Sequence, residues 1–114
     1  MPRQFPLSVT TTVTLNGSGA GTASIGPSFP RESWDVSVAS VSVATNTSEA
    51  VCKVSQGATA GQVFVDGTTW GSTGDSTSNF SAPVFLGSKV FAVWTGGDAN
   101  AVATLTVTGT RRVP

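Results

Sequence analysis

Apolar and polar residues alternate along most of the chain with a period of two, and the alternation is sharpest towards its C-terminal end. Between Ala101 and Gly109, Ala103, Leu105 and Val107 interleave with Thr104, Thr106 and Thr108, which predicts a strand covering a core on one face only. Upstream, Lys89-Val-Phe-Ala-Val-Trp94 is β-branched and aromatic with no Gly or Pro. There Val90, Ala92 and Trp94 point one way and Phe91 and Val93 the other, so both faces ask for cover. The stretch between these runs, Thr95-Gly-Gly-Asp-Ala-Asn100, is turn chemistry, and the whole reads as a β-hairpin.

The rest of the chain continues the theme. Residues 1–6 place two prolines around Phe5 and predict an extended arm. Leu7, Val9, Val13 and Leu15 alternate with hydroxyl residues in a long strand whose apolar row is interrupted by Thr11; Asn16-Gly-Ser-Gly19 turns it into Gly21–Ile25, a second two-strand ribbon. After a proline-containing connection, the run from Trp34 to Val43 slips phase between Val38 and Val41. That predicts a β-bulge near Ala39-Ser40, or two short strands kinked there. Residues 45–49 read as a turn, Ala50, Cys52 and Val54 as a half-buried strand, and 62–66 as a short strand. From Gly67 to Ser81 alternation fails, and a loop of that length is usually functional or clamped by something else. Residues 83–86 start another short strand, and 111–114 form a short tail. No apolar helical period lasts beyond a turn. About eight short strands predict an all-β fold, a single antiparallel β-sandwich over residues 1–114. A jelly-roll-like order is preferred to the immunoglobulin-like alternative, whose paired cysteines around a tryptophan are missing.

Composition narrows the setting. Only 11% of the 114 residues are charged, and six Lys plus Arg balance six Asp plus Glu, so nothing draws the chain to nucleic acid or to an acidic membrane surface. A surface so poor in charge repels neighbours weakly and permits close packing against them. No run has the ~20 apolar residues of a membrane-inserting helix, and the first ten residues hold no signal-like apolar region, so folding in a cytosol is expected. The lone Cys52 sits in an apolar alternation and reads as a small buried hydrophobe.

Candidate chemistry is sparse. The absence of His and Tyr removes the Ser-His-Asp and Cys-His constellations, His-containing zinc sites and the usual general base near neutral pH. The reading is non-enzymatic, with no cofactor. Asp66, Asp75 and Asp98 each stand beside Gly or Ser in expected turns, where an aspartate caps its own backbone. A shared Ca²⁺ site on converging loops is the alternative, and a hydrolytic carboxylate pair would need two acids flanking a cleft. Among the aromatics, Trp34 is in phase with the core valines, while Trp94 suits either the core or a partner contact. Trp70 either covers an open sandwich end, inserts into another subunit or stacks on a sugar ring, and Phe5 and Phe80 raise the same question. With the outward pair Phe91 and Val93, these give the partner-contact candidates Phe5, Trp70, Phe80, Phe91, Val93 and Trp94. The strand from Leu7 to Leu15 has no charge or proline to guard an edge, so it is either central or capped by another chain.

Three groups of residues carry a resemblance: Glu32-Ser-Trp34 opening a strand; Asp66-Gly-Thr68 with Gly71 and Asp75-Ser76; and Ala92-Val-Trp-Thr-Gly-Gly-Asp98 running into Ala101-Val-Ala-Thr-Leu-Thr-Val-Thr-Gly-Thr-Arg111. In them the segment from Trp34 to Arg111 resembles small all-β virion proteins of tailed bacteriophages that infect actinobacteria, of the minor tail, head-fibre and decoration types. The resemblance implies a virion part that assembles with copies of itself and other virion proteins, and it brings no catalytic or ligand residue with it. The expected function is a structural subunit of the minor tail or baseplate type. A capsid decoration or head-fibre protein is one alternative, and a carbohydrate-binding module that adheres to a host surface glycan is the other.

Overall fold

The computed structural model describes residues 3–29, 31–44, 50–70, 75–78, 80 and 83–113, the side chains of 66–70 and 75 excepted. Its strands are β1 (Arg3–Thr14), β2 (Gly21–Ile25), β3 (Ser33–Val43), β4 (Ala50–Gly57), β5 (Val63–Trp70), β6 (Asp75–Thr77), β7 (Val84–Phe85), β8 (Lys89–Thr95) and β9 (Val102–Val113). One sheet has the order β1-β9-β3-β6, with β7 also on β3; the other has the order β2-β8-β4-β5. All pairs are antiparallel. This is the jelly-roll order, two Greek keys from one long hairpin rolled into a sandwich. The tip of that hairpin is the β4–β5 turn. Its arms pair β1 with β9, β2 with β8, and β3 with β6 and β7, so an immunoglobulin-like order is excluded.

Rolling explains why two expected hairpins do not form. β8 and β9 are consecutive but belong to opposite sheets, as do β1 and β2. Each of these strands has an apolar face, and placing them in opposite layers turns all four faces into one core. Val90, Ala92 and Trp94 of β8 are buried with Ala103, Leu105 and Val107 of β9. The glycine-rich turns therefore cross between layers, and they meet. Asn16 Oδ1 accepts hydrogen bonds from the Ser18 and Ala20 amides at 2.8 and 3.1 Å, Gly19 takes φ 73°, and the Gly97 amide donates to the Gly19 carbonyl at 3.0 Å. The Leu15 amide donates to Ala101 at 2.8 Å, and the buried Leu15 side chain closes this end of the sandwich.

Three further expectations are corrected. The amino-terminal arm and carboxy-terminal tail are paired with each other, Arg3 opposite Val113 and Phe5 opposite Arg111, because the two long strands satisfy each other's backbone groups along their whole length. The bulge in β3 lies between Val36 and Val38, not at Ala39-Ser40, so Ala39, Val41 and Val43 face the core and Val38 does not. It sits against Gly109 of β9, where a Cβ would fall on the Asp35 carbonyl oxygen and 2.8 Å from the Ser37 nitrogen. Finally, 67–70 continue β5 opposite β4, and 75–77 form β6, so the long loop is shorter than its composition suggests. The turn expected at 45–49 lies outside the described residues.

At the end away from Leu15, Glu32 is buried. Its carboxylate accepts from the Ser28 amide at 3.2 Å and lies 3.4 Å from Arg111 Nε, within ion-pair range but without hydrogen-bond alignment. Arg112 pairs with Asp35 at 2.7 Å on the outer face.

Cys52 is a core residue with no exposed surface, as expected. Burial pushes its thiol from an ordinary 9.0 up to about 12, with a backbone hydrogen bond at Val93 pulling the other way. A native value above the unfolded one gives stability that is complete below pH 9.0 and is lost as pH rises towards about 12. Cys52 is therefore expected to resist thiol reagents at pH 8 until denaturant is added, as read by mass spectrometry. Labelling of the native chain at the rate of free cysteine would contradict this.

Candidate functional site

The outward face of the second sheet is where unburied apolar groups gather. In β8 the inward row is filled, which leaves Phe91 and Val93 half-exposed on the other face. Register places Phe91 opposite Ser55 of β4, and Ser55 opposite Phe64 of β5; in the next row Val93 lies opposite Lys53. Phe64 is 63% exposed, a large cost in apolar hydration for a lone chain.

The hairpin tip supplies a wall. Gly57 and Gly61 take positive φ, the Gly61 amide donates to Ser55 Oγ at 2.9 Å, and the Ala58 amide donates to Gln62 Oε1 at 2.6 Å. These bonds fold the tip back over the sheet and bury Ser55 beneath it. The result is a groove of about 320 Å³ lined by Lys53, Ser55, Ala60, Gly61, Phe64 and Val93. Among the described residues its floor is apolar, its one charge is the Lys53 ammonium, and no carboxylate lines it. Such a surface offers apolar contact and one cation.

The six candidates fall in different places. Phe91 and Val93 belong to this face. Trp94 has no exposed surface and is a core residue, flanked in register by Gly21 and Cys52, whose small side chains leave room for the indole. Phe80 is half-buried and packs against the core of its own chain. Phe5 is 38% exposed, and its ring lies 5.4 Å from the Arg111 guanidinium carbon, so β9 holds it. Trp70 ends β5 opposite Ala50, and its side chain lies outside the described residues. Phe64 was not singled out by sequence reading, yet it carries the signal used for β8. In Val63-Phe-Val65 apolar residues point both ways, Val65 is buried, and Phe64 therefore points out.

By backbone position the three candidate aspartates are not all in loops, since Asp66 lies on β5, Asp75 opens β6 and Asp98 is in a connection. Asp66 is mid-strand opposite Val54, four residues and about 13 Å along β4 from the Ala50 end. Asp98 lies in the β8–β9 crossing, where it is engaged within the chain. Among the described residues no three His, Cys, Asp or Glu side chains gather to hold a metal ion.

Compared with protein-family models the chain matches none, and no curated protein matches it.

Proposed function

We propose that this chain is a non-enzymatic structural subunit of a tailed-phage virion, of the minor tail or baseplate type, that works docked against other virion proteins. The observation that carries the reading is the groove of Phe64, Val93 and Lys53, an exposed aromatic beside a β-branched floor on a chain with almost no repelling charge. The resemblance of residues 34–111 to small virion proteins supplies the setting. A partner would bring an apolar side chain to the groove and a carboxylate to Lys53. The sugar-binding alternative is weaker on this face, because a pyranose needs polar groups around its stacking ring and, among the described residues, the groove offers only Ser55 and Lys53.

Phe64→Asp is the test. Phe64 is exposed, so the variant is expected to fold with a stability within about 0.5 kcal/mol of the parent. Its binding to the purified structural proteins of the parent virion should fall by about 2 kcal/mol or more, the loss typical of an aromatic anchor. A parent chain that stays apart from every one of those proteins in light scattering would overturn the proposal. A glycan array on which the parent binds and Trp70→Ala does not would favour adhesion instead.

A further inference from the structure

β1 stands at the edge of its sheet: one side pairs with β9 and the other has no strand among the described residues. Edges of isolated proteins are guarded by charge or proline. Here Arg3 and Pro6 stand at the start of β1, and nothing guards the eight residues from Leu7 to Thr14. The strand is also nearly a palindrome about Thr11. Leu7-Ser-Val-Thr-Thr-Thr-Val-Thr-Leu15 reads almost the same in both directions, with Ser8 against Thr14 as its one mismatch.

We infer that β1 pairs antiparallel with β1 of a second copy about a two-fold axis through Thr11, joining the two β1-β9-β3-β6 sheets into one. Side-chain parity puts the axis through a residue and not between two, and the near-palindrome selects Thr11 as that residue. Residues directly opposite in an antiparallel pair point to the same face, so a core-facing residue must oppose another. Centring on Thr11 sets Val9 against Val13, Thr10 against Thr12 and Ser8 against Thr14, and leaves Pro6 beyond the ladder, where its missing N–H costs nothing. The half-buried Val9 and Val13, which pack on the core with their edge side open, are covered by the partner's Val13 and Val9. The exposed Thr10, already 3.1 Å from the Thr106 hydroxyl, extends a hydroxyl row across the seam. An isologous contact of this kind closes after two copies.

The inference rests on the assembling-subunit reading for its setting but uses a different surface. β1 stacks on the β2 flank of the sandwich, whereas the groove runs towards β5, the opposite edge of the other sheet. Concentration-dependent light scattering of the full chain is expected to show a dimer. Thr11→Lys places two like charges on the axis and should weaken it by more than ~100-fold, while an inward lysine is a guard that monomeric edge strands tolerate. Thr11→Cys should form a disulfide-linked dimer under mild oxidation, because residues on the axis lie about 4.5–5.5 Å apart at Cα. Thr10→Cys should not, since its own counterpart lies diagonally, at about 7–8 Å. Cys52 is buried and gives no background. A chain that stays monomeric to its solubility limit, a dimer that survives Thr11→Lys, or equal cross-linking at both cysteines overturns the inference. If Phe64→Asp abolishes virion binding while the Thr11 variants behave as the parent, this inference alone falls. If the dimer forms and the parent binds no virion protein, the docking reading falls instead.

Discussion

Trp94→Ala is expected to destabilise the chain by about 3–5 kcal/mol, the range for removing a fully buried large aromatic, which is most of the stability of a small domain. Trp94 has no exposed surface and is the largest of the fully buried side chains among the described residues. Its register neighbours, Gly21 and Cys52, are too small to move into the space. Trp94→Phe should cost far less. It keeps most of the ring and removes an indole N–H that has no acceptor among the described residues, a group whose desolvation is uncompensated. Urea unfolding followed by circular dichroism separates the two variants, and equal midpoints would show that Trp94 is not a core residue.

Gly109→Ala should cost about 2–3 kcal/mol, at the upper end for an overpacked site. What stands in the way is backbone: the added methyl meets the Asp35 carbonyl oxygen, the Ser37 nitrogen and, at 3.0 Å, the Val36 Cα. Neither strand can yield without opening the bulge that sets which side chains of β3 face inward. Gly17→Ala is the control, since nothing lies within 4 Å of the place its methyl would occupy. Equal urea midpoints for the two variants would refute the account.

The pattern of the chain made strand identity legible and strand partnership much less so. Alternation places Leu105 and Val107 in the core and Thr104 and Thr106 outside it, and the structure agrees. It cannot say which neighbour a strand takes, because a period of two is the same for a hairpin and for two strands in opposite layers. That is why Thr95–Asn100 looked like a hairpin turn and is a crossing. The bulge was detected but misplaced by about three residues, since Val38 and Ala39 are both apolar and only the close approach of Gly109 distinguishes them. Asp66-Gly-Thr-Thr-Trp70 has loop composition and is a strand because β4 pairs with it, a case of tertiary context overriding propensity. On the candidate face, Phe91 and Val93 were visible from β8 alone. Phe64 was hidden by brevity: a three-residue apolar run gives little period to read.

The long-hairpin topology also dictates an order of events. The β4–β5 tip is the one sequence-adjacent pair of hydrogen-bonded strands among the described residues, so it is the most local strand pairing available to a growing chain. β9, the last of these nine strands in chain order, lies between β1 and β3, and without it β1 has no paired strand among the described residues. β1 can therefore be paired only after synthesis has passed residue 102, and nascent chains wait with an eight-residue sticky strand in the open.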